Sequence, residues 1–122
     1  MSKSPRQPFH HVSHLACRTV IILPLIFCSA CAHMAQDNWT GRDKTAHFIS
    51  SATLAYAGSA VAEHQNASPA RSRNIGFAFA LSLGALKETF DSRAAGSGWS
   101  WKDFAWDVAG ASAGYSLYYL NK

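Results

Sequence analysis

Ser100-Trp-Lys-Asp-Phe-Ala-Trp-Asp-Val-Ala-Gly-Ala-Ser-Ala-Gly114 is the stretch that decides the fold. It opens on Ser-x-x-Asp, the capping-box spacing of a helix start, and continues to Leu120 without a proline. Asp103, Asp107, Gly110 and Gly114 fall on one helical stripe. Glycines on a stripe let a second backbone approach closely, so this is the expected contact face. A carboxylate on that face is expected to be buried, and burial demands a partner. Upstream, two further segments start in the same manner. Thr40-Gly-Arg-Asp43 repeats the capping spacing, and Ser68-Pro69 places an N-cap before a proline at the first helical position. Small residues recur at helical spacing in each segment, as Ser51, Ala55, Ser59 and as Gly76, Ala80, Gly84. No window alternates like a strand. The expectation is an all-α fold: a small three-helix bundle in a domain spanning 40–122, with helices over 40–64, 69–91 and 101–120, after a cleaved signal peptide.

The first thirty residues read as an address. A basic opening leads into the apolar run Thr19-Val-Ile-Ile-Leu-Pro-Leu-Ile-Phe-Cys-Ser-Ala30, which has the length of a signal-peptide core and is too short to span a bilayer. Cys28-Ser29-Ala30-Cys31 then follows the lipobox pattern, with small residues before a thiol to be acylated, although Cys28 stands where leucine is usual. This makes 1–30 a lipoprotein signal peptide, Cys31 the lipidation site and 31–39 a tether. Ala30-Cys31-Ala32 also fits an ordinary Ala-x-Ala cleavage site, and the apolar run could instead remain as an uncleaved inner-membrane anchor. No cysteine follows Cys31, which argues against a disulfide-stabilised exported domain. Ala32, rather than aspartate, follows the cysteine, and the expected location is the periplasmic face of the outer membrane. Several acyl chains, palmitate among them, provide the stable anchoring that one chain does not.

Charge excludes one class of function. From Cys31 onward there are eight Lys/Arg against seven Asp/Glu, which is no footprint for nucleic acid. The uncharged runs Phe48–Ala62, Asn74–Leu86 and Val108–Leu120 are shorter than the roughly 20 residues of a spanning helix. Trp99, Trp101 and Trp106 at one end of the last helix, and Tyr118 and Tyr119 at the other, nonetheless resemble interfacial belts. A compact bundle lying at or partly in the membrane is the reading that joins these facts.

The charged residues gather at helix ends. Asp43 with His47, Glu88 with Asp91, and Asp103 with Asp107 each share a helix face. An up-down-up bundle brings all three pairs to one end. An imidazole among carboxylates suits a divalent cation or general acid/base work, with His47, Glu88, Asp91 and Asp107 as the candidate residues. The competing explanation is structural. Asp43 and Asp103 occupy the last position of their capping boxes, and Lys44 and Lys87 supply counter-ions, so Asp43, Lys44, Lys87 and Asp103 read as a salt-bridge cluster. No cysteine nucleophile, nucleophile elbow or phosphate loop is present after the leader.

Trp39 to Phe48, Ser82 to Arg93 and Gly96 to Gly110 together resemble the YfiM family of lipoproteins, over nearly the whole mature chain. The resemblance implies a lipoprotein and supports the Cys31 reading. It also implies a start codon placed too early, because the leader before the apolar run is long. Asp-Lys-x-x-His, Lys-Glu-x-x-Asp and Asp-x-x-x-Asp-x-x-Gly are similar, more loosely, to motifs of VanZ-like membrane proteins. The expected role is that of a lipid-anchored envelope lipoprotein with a structural or interaction function. It would contact lipid through its anchor and an envelope protein partner, with no cofactor. The alternative is a metal-assisted hydrolase or lipid-modifying enzyme, which would require a divalent metal.

Overall fold

A computed structural model describes residues 34–122. The expected signal peptide over 1–30 and Cys31 lie outside the described residues. Three helices follow one another: α1 (Arg42–His64), α2 (Pro69–Asp91) and α3 (Trp101–Leu120). α1 packs extensively against both of the others, which touch each other less. None of the three is long and apolar enough to cross a membrane.

Local chemistry sets the boundaries. Ser68 accepts a hydrogen bond from the Arg71 N–H ahead of Pro69, and Ser100 accepts one from the Asp103 N–H at 3.0 Å. Asn66, in the left-handed region at φ 68°, turns the chain between α1 and α2. The Thr40 capping box does not form. Gly41 is the N-cap of α1, no side chain caps it, and Thr45 reaches back to the Gly41 carbonyl instead. Gly41 sits at φ 147°, where an L-residue is strained, and the helix begins at Arg42, two residues beyond the threonine.

The interior consists of small residues. Ala55, Ala80 and Ala111 form the buried apolar cluster, alongside Ser51, Ser59, Ser72, Gly76, Gly84, Gly110 and Gly114. The helices approach so closely that a Cβ at Gly110 would overlap the Phe48 carbonyl oxygen, and one at Gly114 that of Ala52. Most larger apolar side chains lie outward, but Tyr118, at 2% exposure, is buried against the interfacial-belt expectation. The same expectation fails at Trp99, which is 5% exposed. There Ala35 N–H donates to the Trp99 carbonyl at 2.9 Å, beside the parallel bridge between Met34 and Trp99. Gly98 permits this contact, with φ 97° and room for no Cβ against the Met34–Ala35 backbone.

Candidate functional site

One end of the bundle carries a buried charged cluster built from all three helices. Lys44 and His47 from α1, Glu88 from α2, and Asp103 and Asp107 from α3 are all buried there. Such burial is stable only with close pairing. Lys44 Nζ donates to Asp103 Oδ1 at 2.5 Å and also to Asp37 Oδ2. Asp37 Oδ2 further accepts from the Ser100 hydroxyl at 2.8 Å, and Lys102 donates to the Asp37 carbonyl. Burial would draw the Lys44 ammonium down, but hydrogen bonds to Asp103 and Asp37 and their charges push it above its usual value. Burial likewise opposes ionisation of Asp37, yet hydrogen bonds from Lys44 and Ser100 hold its carboxyl below the usual range.

Beside this ion pair lies a second group. Asp107 Oδ1 takes the His47 Nδ1 at 3.0 Å and the Ser51 hydroxyl at 2.7 Å. Glu88 Oε2 accepts the Ser100 N–H at 2.8 Å. His47 Nε2, Glu88 Oε1 and Asp107 Oδ2 are buried without a hydrogen-bond partner among the described residues. A cleft of about 280 Å³ is lined by His47 and Asp107, with Asp43, Ser50, Leu83 and Lys87 also on its wall.

The convergence expected from helix-end spacing is therefore present for His47, Glu88, Asp103 and Asp107, with Lys44 among them. Asp91 does not join. It pairs with Lys87 at 2.8 Å on the surface, where the i,i+4 geometry satisfies both. Asp43 lies at the rim, largely exposed and 3.5 Å from Lys44. Asp103 needs more explanation than a capping box offers. Ser100 caps α3 through the Asp103 N–H, while the Asp103 carboxylate is committed to Lys44. Asp37 and Ser100 are members that sequence reasoning passed over. Ser100 carried a signal only as a cap, and Asp37 stands in a polar loop with no periodicity to flag it.

Residues 34–119 match the model of a family described as predicted periplasmic lipoprotein (DUF2279). The chain belongs to this family. No curated protein and no solved structure matches it. The family assignment places the chain in the periplasmic part of the cell envelope as a lipoprotein. The matched range holds the whole buried cluster, from Asp37 to Asp107, and begins after Cys31.

Glu88 makes the cluster sensitive to pH. Its burial, the largest influence, raises the carboxyl above its usual 4.5, against the Ser100 N–H and the Lys87 charge. The folded protein then binds a proton that the unfolded chain has released, so stability falls as pH rises from 4.5 through the folded value. The Glu88→Gln variant, whose amide oxygen can still accept from Ser100, is expected to flatten this decline. Denaturant unfolding from about pH 4 to pH 8 measures it, and parallel slopes in variant and wild type would refute it.

Proposed function

We propose that this family member is an outer-membrane lipoprotein, acylated at Cys31, whose bundle lies against the periplasmic leaflet in a structural or interaction role. The observation that supports this is the inverted distribution of side-chain size. Ile75, Phe79, Leu83, Leu86 and Phe90 are all exposed, and they form one stripe along α2. At 1.5 Å per residue the stripe is about 22 Å long. A helix facing water turns such residues inward, and a continuous exposed patch of this kind marks a contact surface. Between α1 and α2 the stripe opens into a groove of about 580 Å³ lined by Leu54, Gly58, Val61, Ile75 and Phe79, with Arg71 at one end. Arg93 follows the stripe at the other end, stacked 3.3 Å above the Phe90 ring. Acyl chains fit the stripe and groove, and the two guanidinium groups fit lipid phosphates. Chain length alone keeps an acylated Cys31 within about 10 Å of Met34, so the anchor would hold the bundle at the surface. The blocks Trp39–Phe48, Ser82–Arg93 and Gly96–Gly110 favour the YfiM type within the family.

Intact mass and membrane fractionation of wild type beside Cys31→Ser test the anchor. The wild type is expected to be cleaved before Cys31, triacylated and recovered with the outer membrane, and the variant to be none of these. If both masses retain the leader, the reading fails. The stripe is tested separately with a leaderless chain starting at Ala32 and vesicles of phosphatidylethanolamine and phosphatidylglycerol. Partition onto vesicles is expected, and Phe79→Asp with Leu86→Asp is expected to weaken it by about tenfold or more. A leaderless chain that stays monomeric in water and ignores vesicles would overturn the membrane role.

A further inference from the structure

The buried end of the bundle holds more buried carboxylates than buried ammonium groups. Asp103, Asp107 and Glu88 are three buried carboxylates, and Lys44 is the single buried ammonium. Lys44 is already committed to Asp103 and Asp37. The contact with Asp107 engages His47 Nδ1 and turns Nε2 toward Glu88 and Asp103. With the proton on Nδ1, Nε2 presents a lone pair.

That nitrogen is buried without a hydrogen-bond partner among the described residues, and Glu88 Oε1, 3.9 Å away, has no hydrogen bond and only the Lys87 ammonium at 3.5 Å. Asp103 Oδ1 is 3.7 Å from the same nitrogen. These separations are too long for hydrogen bonds. They lie within about half an ångström of the roughly 3.4 Å ligand-to-ligand edge of a tetrahedral zinc site with 2.0–2.1 Å bonds. Ligand atoms of Asp43, His47 and Asp103 also lie within 4.8 Å of one another. We propose that His47 Nε2, with carboxylate oxygens of Asp103, Glu88 and Asp43, binds one divalent transition-metal ion of the zinc class.

Every helix supplies a ligand: Asp43 and His47 from α1, Glu88 from α2 and Asp103 from α3. One imidazole with carboxylates selects this class over calcium, which takes oxygen alone, and over soft copper(I). Asp107 has the role of the carboxylate that fixes a metal-bound imidazole. A dication adds positive charge among these carboxylates, and Asp103 bridges the ion and the Lys44 ammonium. The ion's role is to clamp three helices whose buried apolar cluster is three alanines. It is independent of the lipid anchor and of any catalysis.

The test uses full-length protein purified in mild detergent and stripped with a chelator. Zn²⁺ is titrated by calorimetry, and Co²⁺ is added in parallel for its visible spectrum. One ion per chain, a tetrahedral cobalt spectrum and a raised melting temperature are expected. His47→Gln is expected to abolish stoichiometric binding. Asp43→Asn, at an exposed rim position, is expected to weaken binding by about tenfold or more while leaving metal-free melting unchanged. Glu88→Gln gives a third reading if His47→Gln fails to fold. The absence of stoichiometric binding overturns the proposal. So does binding that Asp43→Asn and Glu88→Gln leave intact, which would assign it elsewhere in the chain.

Discussion

Lys44→Met is expected to destabilise the bundle by about 3–5 kcal/mol, the range for removing one partner of a buried ion pair. The methionine fills similar space, so the loss comes from what remains. The Asp103 side chain is 9% exposed and would lose the ammonium that pairs with it. Asp37, at 25%, would suffer less because water reaches it. Domains of this size unfold at about 5–15 kcal/mol, so the variant would retain a narrow margin. The pH dependence should change with it. Asp37, held below 3.8, contributes stability present above that value and lost as pH falls through its lowered one. Lys44, raised above 10.5, contributes stability present below that value and lost as pH rises through its higher one. The wild type is therefore stable on both counts across neutral pH. The variant should lose both of these contributions. Lys44→Met combined with Asp103→Asn should recover part of the loss, giving a coupling energy of about 2 kcal/mol in a double-mutant cycle. Additive single-variant effects would mean that the pair carries no mutual energy.

The residues around that pair show which parts of the molecule could be read from sequence. Ser68-Pro69 and Ser100 announce their helices because a cap is local chemistry, and both form. Small-residue rows announce the contact faces because helical spacing is local too. Ser51, Ala55 and Ser59 are buried as a row, as are Gly76, Ala80 and Gly84. Thr40 fails because the following glycine adopts a backbone conformation that puts the helix start after it. Asp37 was invisible for a different reason. It joins the cluster only when the chain closes a loop of 63 residues to Ser100, and no periodicity encodes that closure. The pairing of Asp103 with Lys44, 59 residues apart, was hidden behind a capping motif that accounts for an acid at the same position. Asp91 shows the converse error. Its spacing from Glu88 placed it on a shared face, but i,i+4 pairing with Lys87 draws it outward. The apolar exterior was partly legible, because the helices lack a large apolar inner stripe and bury alanine, serine and glycine instead.

Gly110→Ala is expected to destabilise the bundle by about 3 kcal/mol, although the same change stabilises an isolated helix by about 1 kcal/mol. The sign turns on what the new methyl group meets. At Gly110 it meets the Phe48 carbonyl oxygen of α1, a backbone atom with no rotamer to adopt. The helices must separate, and the separation spreads. Gly114 sits one turn further along the same crossing, against the Ala52 carbonyl and the Ala55 side chain. The hydrogen bonds from His47 and Ser51 to Asp107 cross the same interface one turn earlier. Steric cost, lost alanine contacts and weakened bonds to a buried carboxylate together outweigh the gain in helix propensity. Gly110→Ala combined with Gly114→Ala should leave no cooperative unfolding transition. Two controls locate the effect. Ser112→Ala, exposed on α3 and bonded only to the Val108 carbonyl within its own helix, should stay within about 0.5 kcal/mol of wild type. Gly58→Ala meets the Gly76 Cα at 3.1 Å and the Phe79 ring edge at 3.3 Å, and the ring can yield, so its cost should fall between the two. Denaturant unfolding in a fixed detergent ranks the four proteins. If Gly110→Ala proved more stable than wild type, α1 and α3 could not be packed backbone to backbone, and the clamp of charged residues at their shared end would lose its geometric basis.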